Sequence, residues 1–221
     1  MTKLTDLGFS KDTVVETILS TYNPDGQPNA APMGILMKNE QCVTIKLYKS
    51  SSTYQNLVSR RCGVINITSD PELFFLSAFK EANPNAKIPP EWFEKAEILD
   101  APKLHMADAT VEISVAKITP INAEKTEAVC DVKLVKATKA LPKVYCRALF
   151  ATIEAIIHAT RIKVFLSGNN RQREQASILM ENIAYCKETV NRVAPNSNYA
   201  EILTELTKMI TTWRIESESI H

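Results

Sequence analysis

Three short stretches of this 221-residue sequence carry side chains that can do chemistry. The first is Tyr48-Lys-Ser-Ser-Ser-Thr-Tyr-Gln-Asn56, in which three serines and a threonine follow a lysine. At a helix start, hydroxyls and free backbone N–H groups donate to a phosphate, the helix dipole attracts it and Lys49 adds a full charge. Ser52 with Gln55 three residues later also fits a capping box, which needs no ligand. The second stretch is Gln27-Pro-Asn-Ala-Ala-Pro-Met-Gly34. Small residues on a strand leave the backbone open to a flat ligand, and Gly34 permits close approach. Pro32 cannot donate to a sheet ladder, so the same segment also reads as an edge strand guarded against aggregation. The third is Glu154-Ala-Ile-Ile-His158-Ala-Thr-Arg161, where spacings of four and three put Glu154, His158 and Arg161 on one helix face. A Glu–His pair suits acid–base chemistry, and it equally suits a surface stripe or a buried polar network.

These groups must be positioned by the elements around them. Residues 13–22 are rich in β-branched side chains and predict a strand. Asn23-Pro-Asp-Gly26 predicts a turn, since Pro fixes one φ and Gly accepts a positive one. Residues 29–37 and 42–47 then complete an antiparallel meander. The spacing predicts a helix over 52–60, with Tyr54, Leu57 and Val58 on one face, and Arg60 and Arg61 as solvated cations at its end. A strand follows over 63–68, and Asp70-Pro71 opens another helix. Residues 83–103 are proline-rich and predict an excursion with one short helix over 91–96. Two longer strands are expected over 109–118 and 127–138. After Pro142 the pattern turns helical, over 146–160, 170–193 and 199–214. Strands first and helices second predict an α+β protein: an antiparallel barrel over 1–145 and a small helical domain over 146–221.

Composition narrows the function classes. Lys plus Arg is 26 and Asp plus Glu is 25, so the net charge is +1 and nothing advertises a nucleic-acid surface. The five glycines, Gly8, Gly26, Gly34, Gly63 and Gly168, are never closer than eight positions. Glycine-rich dinucleotide and phosphate loops are therefore excluded, and any phosphate site must use hydroxyls, cations or a helix start. The five cysteines are odd in number, and no C-x-x-C or H-E-x-x-H occurs, so neither a redox pair nor a metal site is expected. The N-terminus lacks the apolar stretch of a signal peptide, and no run is long enough to span a membrane. A reduced, cytoplasmic location is expected.

The strings E-T-I-L-S-T-Y-N-P-D-G-Q-P-N-A-A-P-M-G at 16–34, Y-K-S-S-S-T-Y-Q-N-L at 48–57 and I-E-A-I-I-H-A-T-R at 153–161 carry a resemblance. The chain resembles a largely uncharacterised, mostly archaeal family of the FMN-binding split-barrel superfamily, whose wider membership includes flavin reductases and pyridoxine phosphate oxidases. The likeness runs over barrel and helical tail alike. It implies a homodimer with FMN near the subunit interface, and an oxidoreductase drawing electrons from a nicotinamide or another donor. It places Ser50, Ser51, Ser52 and Thr53 on the FMN phosphate, with Lys49 as the nearby cation. Asn29, Ala31, Pro32, Met33 and Gly34 would border the isoalloxazine ring, and Asn56 is a further contact. His158 and Arg161 would either reach the flavin or fix the tail against the barrel. A non-catalytic flavin binder or sensor is the rival reading.

Overall fold

Gly26 adopts φ +82°, and its N–H reaches Asn23 O at 2.9 Å, closing the turn that Pro24 and Gly26 predict. The Asp25 carboxylate secures it by accepting the Gln27 N–H at 3.0 Å. The strands on either side belong to a set of eight among the described residues: β1 (Val14–Tyr22), β2 (Pro28–Asn39), β3 (Cys42–Tyr48), β4 (Cys62–Ile67), β5 (Phe93–Lys95), β6 (Pro102–Leu104), β7 (Ala109–Pro120) and β8 (Lys125–Ala137). Six of them close an antiparallel barrel in the order β1-β2-β3-β8-β7-β4, with β4 returning to β1.

The computed structural model describes residues 2–11, 14–137 and 147–218. They fall into two compact units, one of residues 2–68 and 79–137, the other of residues 69–78 and 147–218. The expected domain boundary at 145/146, and the expected element ends Thr13, Thr138 and Cys146, lie outside the described residues.

The barrel unit has an apolar interior because alternate residues of each strand point inward. Leu19, Ile35, Val43, Ile45, Ile65, Val111 and Ile113 are all fully buried there. One helix, α1 (Ser52–Arg60), packs on β1, β2 and β3. Its inward face is Thr53, Asn56 and Leu57, the i, i+3, i+4 stripe of an amphipathic helix. Burying Leu57 completely contributes roughly 2 kcal/mol. Val58, expected on that face, is instead exposed, one residue past the stripe. Arg61 is not a free surface cation: it ends α1 in the left-handed region at φ 60°, and its guanidinium donates to the carbonyls of Val115 at 2.8 Å and Ala116 at 3.1 Å.

The helix expected over 91–96 is a β-hairpin. Phe93–Lys95 pairs with Pro102–Leu104, Phe93 opposite Leu104. Two buried polar networks hold this excursion. Asn66 Nδ2 donates to Ile18 O and Ser20 Oγ, both at 2.9 Å, while its Oδ1 accepts the Leu104 N–H at 2.8 Å. Ser20 Oγ donates to Pro102 O at 2.6 Å. Glu112, on β7 and only 1% exposed, accepts the backbone N–H groups of Glu97 (2.7 Å), Ile98 (3.1 Å) and Leu99 (2.9 Å). These long-range bonds override the helix-like spacing of the local sequence.

The helical unit contains α2 (Pro71–Ala78), α3 (Arg147–Phe165), α4 (Asn170–Val193) and α5 (Asn198–Glu218). The Asp70 carboxylate accepts the Glu72 N–H at 2.9 Å, as a cap ahead of Pro71 should. Asn169 and Gln172 form a reciprocal capping box at the start of α4. α3 is the central element, packed by α2, α4 and α5, and it buries Ala148, Thr152, Ala155, Ile156, Ala159 and Ile162. Among the described residues no helix is long and apolar enough to cross a membrane.

Candidate functional site

The hydroxyl-rich loop leaves β3 at Tyr48 and enters α1 at Ser52. The helix is capped by Ser51, not by the Ser52–Gln55 pair. Ser51 has extended backbone (φ −78°, ψ 144°), its Oγ accepts the Tyr54 N–H at 3.2 Å, and the same hydroxyl donates to Tyr48 O at 2.8 Å. The third helical residue is then Tyr54, so Gln55 cannot close a box. With Ser51 committed to the fold, Ser50 and Ser52 are exposed, and the hydroxyls of Ser50, Ser52 and Thr53 make no hydrogen bond among the described residues. The N–H groups of Ser52 and Thr53 are among those that a helix start leaves without an intrahelical partner. Lys49 is held against the β7–β8 turn, its N–H bonded to Glu124 O at 2.9 Å and its ammonium to Asn122 O at 3.1 Å. Asn56 is buried, and its Nδ2 donates to Thr21 Oγ1 and Asn23 Oδ1, both at 2.9 Å, which ties α1 to β1 and its turn.

The second segment is a half-paired strand. β1 pairs with β2 along its whole length, from Val14–Leu36 to Tyr22–Pro28, whereas β3 joins β2 only from Ile35 onward. Residues 28–34 therefore bond on one side alone, which is where Pro32 is tolerated. Continuing the Ile35–Ile45 register brings Leu47 level with Met33, so the hydroxyl loop leaves β3 beside this half-strand. Ala31, Pro32, Met33 and Gly34 are half-buried there. A Cβ on Gly34 would come within 3.0 Å of Val14 Cγ1, so the close approach this glycine allows is already taken by β1. Asn29 behaves differently. It is 3% exposed, its Oδ1 accepts from the Lys80 ammonium, and its Nδ2 is buried without a partner among the described residues.

His158 and Arg161 lie on α3 in the helical unit. His158 Nε2 stands 3.5 Å from Glu154 Oε1, as the spacing predicts, while Nδ1 is buried with no partner among the described residues. Glu154 and His158, but not Arg161, line a cavity of about 440 Å³ between α3 and α4, with Tyr185 and Cys186 opposite. Burial lowers the His158 pKa, opposed by Glu154 and reinforced by Arg161. The unfolded chain takes up a proton near pH 6.5 that the folded imidazole refuses. Stability is therefore expected to fall as pH drops below about 6.5, and to level off below the folded pKa. His158→Gln should flatten that slope in denaturation curves recorded between pH 7 and pH 5. An unchanged slope would assign the proton to another group.

With this geometry in hand, comparison with known proteins decides the family. Residues 15–127, just over half of the chain, match the N-terminal domain of a protein of unknown function, DUF447. The chain belongs to the DUF447 family. A DUF447 protein of Methanosarcina mazei, solved with FMN bound, is similar over 93% of this chain and 98% of its own, at 24% identity and a TM-score of 0.72. That likeness establishes the barrel-plus-helices fold. The 2-nitrobenzoate 2-nitroreductase of Pseudomonas fluorescens aligns over 63% of this chain and 74% of its own, at 14% identity and a TM-score of 0.49. Flavoredoxin of Desulfovibrio vulgaris aligns over 59% and 76%, at 18% identity and a TM-score of 0.48.

In this DUF447 chain the fold brings two of the three predicted stretches side by side, the hydroxyl loop and the half-strand. The third lies in the other unit. Sequence reasoning missed Lys80, whose ammonium meets Asn29 across 51 positions. Its only sequence signal is a lysine between two apolar residues' turn and a proline-rich stretch, which reads as a surface cation.

Proposed function

We propose that the chain binds FMN and serves as a flavin-dependent oxidoreductase. The phosphate would lie on the Ser50–Thr53 loop and the isoalloxazine ring along the half-paired part of β2. The observation that carries this reading is the donor set at the loop. Three hydroxyls and the first N–H groups of α1 stand without partners among the described residues, beside a strand of small residues. The similarity to the FMN-bound M. mazei protein along nearly the whole of both chains supports it.

The residues present suit the parts of the group. Ser50, Ser52 and Thr53 would donate to the phosphate, and Ser51 holds the helix start in place for them. Lys49 keeps two further N–H donors beyond its bond to Asn122 and supplies positive charge close by. Ala31, Pro32, Met33 and Gly34 would border the ring, with Asn29 at one end. Asn56 acts by anchoring α1. FMN, when bound, supplies hydride or single-electron transfer, and the protein supplies orientation and electrostatics. In this reading the chain works in the cytoplasm as a homodimer, with a nicotinamide or comparable donor.

The freshly purified protein is expected to be yellow, to release FMN on denaturation, and to be bleached by NADH or NADPH. It should sediment as a dimer. A colourless protein that refuses added FMN would overturn the reading. A bound flavin inert to both nicotinamides would remove the oxidoreductase and leave the flavin-binding role.

A further inference from the structure

Beside the half-strand lies an open cavity of about 640 Å³, formed within the barrel unit by the β1–β2 turn, the start of β2 and the proline-rich stretch after Lys80. Its size is that of a small-ligand site. Its buried polar member is Asn29, with the half-buried Lys80 beside it. Asn29 is 3% exposed, and its Nδ2 has no partner among the described residues. Its Oδ1 is occupied by the Lys80 ammonium, and this contact fixes the amide's orientation, since a flipped Asn29 would set N–H against N–H. Lys80 retains two more N–H donors and makes no ion pair among the described residues. Burial lowers its pKa, opposed by Glu81. Two half-satisfied donor groups side by side call for an anionic oxygen.

The other walls limit which anion fits. Pro28, Ile88 and Pro89 are apolar and at least half-buried, so they suit an organic body. Asp25 and Glu91 lie exposed at the margin beside the exposed Lys87. Two carboxylates there oppose a dianion more than a monoanion.

We propose that this cavity is a ligand site separate from the hydroxyl loop, and that it takes a small organic carboxylate, its oxygens received by Lys80 Nζ and Asn29 Nδ2. The site stands on the cavity and its donors, and does not depend on bound flavin.

The test uses the full-length protein and three probes of one shape: benzoate, benzamide and phenyl phosphate. Benzoate is expected to bind saturably in calorimetric titration, at least tenfold more tightly than either of the others. Lys80→Met should weaken benzoate at least tenfold while leaving benzamide affinity unchanged within twofold. Lys80→Arg should restore most of the benzoate affinity. Because Lys80→Met leaves Asn29 and the strand intact, its folding can be checked by its denaturation midpoint. Absence of benzoate binding up to tens of millimolar would overturn the proposal, as would equal affinity for benzamide, or tighter binding of phenyl phosphate. Loss of FMN binding in the hydroxyl-loop variants, with benzoate binding retained, would keep the two sites distinct. FMN failing to bind at all would leave the benzoate result to stand alone.

Discussion

Replacing Ser52 and Thr53 together by alanine is expected to weaken FMN binding by two to four orders of magnitude and to leave the barrel folded. Each hydroxyl would donate to a charged phosphate, and a hydrogen bond to a charged group is worth roughly 1.5–3 kcal/mol, so the pair accounts for about 3–6 kcal/mol at most. The fold should survive because the capping bond belongs to Ser51, whose Oγ accepts the Tyr54 N–H and donates to Tyr48 O. Ser51→Ala is the matching control. It should lower stability by about 0.5–2 kcal/mol, the usual loss of an N-cap, with a smaller effect on flavin. Thr53 is 3% exposed, so Thr53→Ser paired with Ser52→Ala separates loss of the donor from loss of the packed methyl. Fluorescence titration of FMN into each variant, beside its denaturation midpoint, reads both quantities. If the double variant unfolds with no separable change in flavin affinity, the loop is a structural cap only.

Glu112→Leu is expected to destabilise the protein by about 3–5 kcal/mol, the largest effect on folding anticipated outside the apolar core. The carboxylate is 1% exposed and accepts three consecutive backbone N–H groups, at 97, 98 and 99. It has no cationic partner among the described residues, so the backbone dipoles alone balance its charge. Leucine fills similar space but strands all three donors in a dry environment. Glu112→Gln keeps one carbonyl oxygen and turns an NH₂ toward an N–H, so an intermediate loss is expected. Urea denaturation followed by intrinsic fluorescence gives the comparison, because Trp92 sits on the excursion that this carboxylate holds. A Glu112→Leu midpoint equal to the parent's would mean that solvent satisfies the 97–99 backbone instead.

Local chemistry made much of the fold legible. Pro24 and Gly26 fix their turn, Asp70 caps ahead of Pro71, and the 3.6-residue spacing predicts the helix over 170–193, whose observed bounds are the same. Tertiary contacts made the rest illegible. Trp92, Phe93 and Ala96 have helix-like spacing, but Asn66, Ser20 and Glu112 supply hydrogen bonds that reward an extended hairpin instead. The site shows the same division. Four adjacent hydroxyls identify a donor-rich loop, yet which serine caps depends on where β3 releases the chain, and that is set by the Lys49 N–H bond to Glu124 on a distant turn. Lys80 reads as a surface cation until the fold lays it against Asn29.

The half-paired segment of β2 also bears on how the chain behaves in a crowded solution. A strand edge without a neighbour is a template on which another chain can add, and such additions seed precipitation. Pro32 interrupts the row of donors that an incoming strand would need, since its nitrogen carries no hydrogen. The same seven residues would thus leave a surface open to the flat ring of the proposed FMN while withholding it from other polypeptides. A valine at position 32 would restore the donor that Pro32 withholds, and concentrated protein would become prone to self-association without any loss of folded stability to warn of it.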